Sequence, residues 1–212
     1  MESAKIQEGQ LQGVKFVNDT LTIIYNRRAV RKYKDTAIER TIIEQILDAG
    51  KMAPSAINKQ PWKFYILTNK EDIRVFSKEI SRVAIKEVVK SGVKEIIKTA
   101  KEFLHFSHGV DFLKENDPIF HGAPVVIFIS SPIDNEWAAL DVGMCAQNIM
   151  LAAKSMGLDS CPVGLAKFVE QTKIYSRLNI PQSERVNLAI IVGHGNESPE
   201  PKERVAGNVT FI

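Results

Sequence analysis

"APSAINKQPW", residues 53–62, joins two segments of opposite character. Upstream, Ile38, Ile42, Ile43, Ile46, Leu47 and Ala49 recur at helical spacing, and Pro54 closes that run. Downstream, "WKFYILTN" has the aromatic and β-branched density of a strand. The joint between them is small and amide-bearing. Ala53 and Ala56 permit close approach by something flat, while Ser55 and Asn58 offer polar groups beside accessible backbone. Ser, Asn and Pro also favour turns for local reasons, so composition alone leaves both readings open.

Working outward, Asn18 and Asp19 can cap a helix that carries Leu21, Ile23 and Ile24 and ends at "RRAVR". Residues 1–17 show no clean period and read as an N-terminal arm. Asn69, with Glu71 and Asp72, opens a lysine-rich helical region broken near Gly92, so that residues 70–116 read as a helical lid or excursion. "APVVIFISS", residues 123–131, is continuously apolar in the manner of a buried strand. Residues 136–156, with Trp137, Leu140, Val142, Ala146, Ile149, Met150 and Ala153, read as a central helix that Gly157 can end. "SCPVG", residues 160–164, follows as a short strand or turn. Lys167 to Leu178 reads as helical, and "RVNLAIIVGHG" as another buried strand. This mixture predicts an α+β sandwich in a single domain over residues 1–212, with a C-terminal extension from about 195.

Hydrophobic residues make up 44% of the 212 and charged residues 25%, a globular balance without the charge excess of disorder. A net charge of +3 forces no nucleic-acid or membrane partner, and no basic stripe interleaves with the aromatic residues. Cys145 and Cys161 are too few for a disulfide framework, which fits a reducing compartment. "MESAKIQEGQ" lacks an apolar signal core, and runs such as "VVIFI" fall far short of the roughly 20 residues that span a bilayer. The expectation is a cytoplasmic protein.

Several residues could carry chemistry. Arg27, Arg28 and Arg31 cluster at a helix end, where a guanidinium can offer paired donors to a phosphate or simply complement the helix dipole. Lys202 and Arg204 lie in "NESPEPKERVAGN", an irregular segment able to wrap over another surface. If the two clusters meet, they make an anion site; alone, the second is a solvated tail. In "SCPVGLAKF", Val163 and Gly164 follow a proline, so backbone N–H groups there can stay unpaired and point at a ligand, or simply mark a strand exit. His105 and His108 share a helix face without third and fourth ligands, so no metal is expected. "GHG", residues 193–195, lacks the remaining glycine and the following helix of a dinucleotide fingerprint, and no P-loop or G-x-S-x-G elbow is present.

Taken in order, these motifs resemble the nitroreductase family of flavin mononucleotide (FMN) enzymes. "RRAVRKY" resembles the family's Arg-Arg-Ser-x-Arg signature, "APSAINKQPW" its Ala-Pro-Ser-x-x-Asn-x-Gln-Pro-Trp loop, and "DVGMCAQNIMLAAKSMGLDSCPVG" its central helix with the turn after it. "PEPKER" is similar to its C-terminal basic pair, and the likeness runs from about Tyr25 to Arg204. The resemblance implies that Arg27, Lys202 and Arg204 face the flavin phosphate with Arg28 nearby, and that Arg31 lies toward the pyrimidine edge. It implies that Pro54, Ser55, Ala56 and Asn58 approach the ring from the partner subunit, and that Pro162, Val163 and Gly164 lie behind it with a backbone N–H near N5.

The implied fold is a central mixed, mainly antiparallel sheet flanked by helices, in an intertwined homodimer. The implied activity is electron transfer from NADH or NADPH through FMN to a nitroaromatic, quinone or similar small acceptor by a ping-pong cycle. No side chain need act as acid or base, so no catalytic residue is assigned. A non-catalytic flavin-binding sensor or carrier, or a specialised chemistry such as reductive dehalogenation, is the alternative. Two positions depart from the pattern, and one lysine of the pattern has two candidates. Ala29 replaces the signature serine, Lys86 and Lys90 both match a lysine that reaches the ring in some members, and Val163 stands where some members are acidic.

Overall fold

The computed structural model describes residues 10–11, 14–15, 19–90 and 117–212. Residues 91–116, the far part of the expected lid with His105 and His108, lie outside them. In the N-terminal arm, β1 (Gln10–Leu11) and β2 (Val14–Lys15) pair as a short antiparallel ladder. The helix α1 (Asp19–Asn26) carries Asp19 in its first turn, where a carboxylate complements the helix dipole. The run expected to be helical before the joint is α2 (Arg40–Lys51), which buries Ile43, Ile46 and Leu47 along one stripe.

After a 3-10 turn at Ala56–Asn58 come β3 (Lys63–Leu67) and α3 (Lys70–Lys90), the latter capped by Asn69, whose Oδ1 accepts N–H groups of Glu71 and Asp72 at 3.0 Å. Then follow β4 (Val125–Pro132), α4 (Ala138–Ser155), β5 (Asp159–Val163) and β6 (Glu184–Gly193).

The sheet runs in the order β3-β4-β6-β5 with every neighbouring pair antiparallel. The expected mixed character is confined, among the described residues, to an isolated parallel bridge between Ala29 and Ser160 on the free edge of β5. The long apolar runs are the two central strands, covered on both faces. On one face Val126, Phe128, Cys161, Val163, Ala189 and Ile191 pack against α3 residues Ile73, Phe76 and Ile80. On the other, Val125, Ile127, Ile129, Ile190 and Val192 meet α2 and α4. Gly50 lets those helices approach: a Cβ there would meet Ile149 Cγ1 at 2.6 Å.

Lys167 to Leu178 departs from the helix expected of it. The chain makes 3-10 turns at Gly164–Gln171 and Tyr175–Leu178, separated by Thr172 in an extended conformation at ψ 153. Thr172 turns its hydroxyl back onto Val169 O at 2.7 Å, the local bonding by which threonine competes with helix.

Candidate functional site

After α1 the chain crosses the free edge of β5. Val30 N–H donates to Ser160 O at 3.2 Å, Lys34 N–H to His194 O at 2.8 Å and Asn196 N–H to Lys32 O at 2.8 Å. The "GHG" glycines make this crossing possible. A Cβ at Gly193 would meet Tyr33 Cδ1 at 2.6 Å, and one at Gly195 would meet Asp159 Oδ2 at 2.4 Å. The two glycines leave room for the Tyr33 and Asp159 side chains, a packing role for a dinucleotide-like pattern without the following helix.

This crossing aligns the basic cluster with the strand edge. From the Ala29–Ser160 bridge, the parallel direction carries Arg31 toward Pro162 and leaves Arg27 toward the start of β5. Both guanidinium groups act electrostatically on the Cys161 thiol, though burial, the larger influence, pushes that thiol up. Arg27 is half-buried, and its Nη1 is buried without a hydrogen-bond partner. Burial lowers its pKa first, Arg28 and Arg204 lower it further, and Cys161 opposes them. A guanidinium stays protonated through such a shift, so this is a positive charge held partly out of water. Of the C-terminal basic pair, Arg204 is the residue whose charge acts on Arg27. Arg204 Nη1 donates to Lys202 O at 3.0 Å, and both residues are exposed.

Arg28 behaves differently. Its Nη1 folds back to Tyr25 O at 2.6 Å and Arg27 O at 2.9 Å, closing the carbonyl end of α1. Arg31 is half-buried and anchors the crossing through its backbone, whose N–H donates to Glu197 Oε1 at 2.5 Å.

Farther along β5, Pro162 is exposed while the Val163 side chain is buried in the α3-side core, and Gly164, which opens the 3-10 turn after the strand, is exposed. A proline is tolerated because β5 is an edge strand and its missing N–H would face outward. A Cβ at Gly164 would meet nothing within 4 Å, so the end of β5 is an open, flat backbone surface.

The joint Pro54–Asn58 precedes β3, the edge strand at the other end of the sheet order from β5. Three strand spacings, about 14 Å, separate β3 from β5. The joint is tightly shaped. Ile57, Asn58 and Gln60 hold positive φ values of 54, 53 and 45, and Ser55 Oγ accepts Gln60 N–H at 2.9 Å. Ala56 N–H donates to the buried Asp141 carboxylate at 3.2 and 3.3 Å, which pins the turn to the start of α4. Pro54, Asn58 and Ile57 face solvent, Ile57 at 89% exposure.

Lys86 is exposed on α3, and the side chain of Lys90 lies outside the described residues. A cavity of about 550 Å³ opens beyond Arg31, between the start of α3 and residues 117–125. Its charges are largely settled: Lys70 pairs with Asp35, Arg74 with Glu71, and the Asp117 carboxylate accepts Phe120 and Gly122 N–H at 2.9 Å. Among the described residues, the buried side-chain polar atoms without a partner are instead Arg27 Nη1 and Ser160 Oγ, at the crossing of the β5 edge. Among the described residues no cluster of His, Cys, Asp or Glu could hold a metal ion, and no helix is long and apolar enough to cross a membrane.

A chain with this sheet and this cationic edge defines a recognisable class. The Nitroreductase family matches residues 24–194, and the chain belongs to that family. It is 27% identical to the 4-nitrobenzoate reductase of Pseudomonas putida over 92% of this chain and 96% of that protein. It is 28% identical to the chloronitrobenzene nitroreductase of Comamonas testosteroni over 86% of this chain and 88% of that one. A solved nitroreductase with bound FMN from Bacteroides fragilis superposes with a TM-score of 0.73 at 25% identity, covering 92% of this chain and all of the other.

Proposed function

We propose that this protein is an FMN-dependent oxidoreductase that passes electrons from NADH or NADPH to a small nitroaromatic or quinone acceptor. The observation that carries the reading is the buried, partnerless Nη1 of Arg27, on which the Arg204 charge acts, beside a strand edge that leads to the open backbone of Gly164. These residues fit a phosphorylated planar cofactor. Arg27, Lys202 and Arg204 would hold its phosphate, with Arg28 closing the helix beside them. Arg31 would set a cation at the pyrimidine edge, where positive charge favours added electron density. Pro162, Val163 and Gly164 would form the wall behind the ring.

When bound, FMN supplies the two-electron carrier. The chain positions it, excludes water and supplies charge, and no residue is assigned as acid or base.

The second wall comes from a partner subunit in this reading. Pro54, Ser55, Ala56 and Asn58 precede β3, the edge strand opposite β5, and are tied through Ala56 to the start of α4, so a homodimer is the arrangement that would bring them against a ring on β5. Apolar residues support it: Leu140 on α4, Leu21 and Ile24 on α1, and Val205, Val209, Phe211 and Ile212 in the extension are all exposed. We assign residues 1–212 to one domain in a cytoplasmic homodimer, with the extension wrapping the partner.

The test is the visible spectrum of the purified protein under anaerobic NADH or NADPH, followed by a nitroaromatic. Flavin bands that bleach and then return are expected. A protein unable to take up FMN would overturn the reading, and bound flavin that neither nicotinamide reduces would leave a binder rather than a reductase.

A further inference from the structure

Arg27 Nη1 shares its condition with one other side-chain atom among the described residues: Ser160 Oγ is also buried and without a hydrogen-bond partner. Ser160 is 1% exposed, and its backbone is the bridge partner of Ala29, two residues beyond Arg27. The two orphaned groups therefore flank one crossing, pinned by Val30 N–H on Ser160 O.

A buried hydroxyl without a partner destabilises a fold, and such groups are rare enough to demand an explanation. Carboxylates of this chain nearby are engaged elsewhere: Glu197 accepts Arg31 N–H, and Asp159 pairs with Lys154 Nζ at 2.9 Å. A guanidinium can only donate, and a serine hydroxyl can donate as well, so one acceptor-rich anion satisfies both. Ser160 stands two residues before Pro162 on β5, about 7 Å back along the edge from the start of the proposed ring wall.

The geometry points to Ser160 as a further residue of the phosphate receptor, its hydroxyl donating to a phosphate-ester oxygen beside Arg27 Nη1. This rests on the flavin reading above and adds a contact from β5 itself, on the strand neighbour of Ala29, which has no hydroxyl of its own. A hydroxyl kept for a ligand should be dispensable to the empty protein and needed by the loaded one.

The test is a fluorescence titration of the flavin-free full chain, wild type and Ser160→Ala, with FMN and with riboflavin, beside thermal denaturation of the flavin-free proteins. FMN affinity should fall about 10-fold in the variant while riboflavin affinity stays within about twofold, because only FMN carries the phosphate. The flavin-free variant should melt no lower than wild type. Unchanged FMN affinity, equal losses for both ligands, or a flavin-free variant that melts well below wild type would each overturn the assignment. Wild type that binds neither ligand would overturn the flavin reading itself, a result distinct from the variant binding FMN as wild type does.

Discussion

Glu184 and Arg27 are both charged residues drawn toward the sheet, Glu184 at the start of β6 and Arg27 beside the Ala29–Ser160 bridge, yet their surroundings are opposite. Glu184 is 5% exposed and fully answered: Lys63 Nζ donates to Oε1 at 2.5 Å, and Ser130 Oγ and Tyr65 OH to Oε2 at 2.5 and 3.2 Å. That network ties the ends of β3, β4 and β6 together. Arg27 Nη1, with Ser160 Oγ, has no such answer within the described chain. Folding alone accounts for the first region. The second makes sense when an anion is counted as part of the native state, and this contrast separates structural from functional burial.

The largest expected effect breaks the second region. Arg27→Ala removes a charge-assisted contact worth about 1.5–3 kcal/mol, so FMN affinity should fall about 10- to 100-fold while the flavin-free melting temperature holds. Equilibrium dialysis and a melting curve together check both halves. Glu184→Ala should do the reverse. It leaves Ser130 without its acceptor and costs about 1–3 kcal/mol in chemical denaturation, while FMN affinity stays near wild type. Lys63 is well exposed and can return to water, which keeps the cost from rising further.

The same carboxylate gives a pH signature. Burial raises the Glu184 pKa, but hydrogen bonds from Lys63 and Ser130 and the Lys63 charge together hold it below its ordinary 4.5. A carboxyl with a lower pKa folded than unfolded adds stability above the unfolded value, and loses it as pH falls through the folded one. Wild type should therefore shed this increment below about pH 4.5, and stability curves of Glu184→Ala should be flatter there. The smallest effect concerns the joint. Asp141→Asn weakens two long contacts to Ala56 N–H, costing about 0.5–1 kcal/mol, and should be read as faster amide exchange at Ala56.

Periodicity made most of the sheet and the long helices legible. The continuous runs of β4 and β6 announced strands buried on both faces, and the isoleucine stripe before Pro54 announced α2. The break at Thr172 was not legible, because a hydroxyl that bonds backward leaves no mark on apolar spacing. Arg27 and Arg31 stood out as a cluster, but the backward fold of Arg28 depends on where α1 ends, which spacing does not specify. Asp141, Glu197 and Ser160 passed unnoticed. Asp141 and Glu197 act through partners far away in sequence, as Asp141 does on Ala56 across 85 positions, and a lone polar residue such as Ser160 carries no local pattern. The "GHG" glycines gave a usable signal, close approach, whose object only the crossing at residues 32–34 reveals.

The measurement that bears most directly on the account is a crystal structure of the protein loaded with FMN. The account predicts the phosphate within hydrogen-bond distance of Arg27 Nη1, the ring on Pro162–Gly164, and Ser55 and Asn58 of a second subunit on its other face. Flavin seated in the cavity beyond Arg31, or a ring covered by the joint of its own chain, would contradict it.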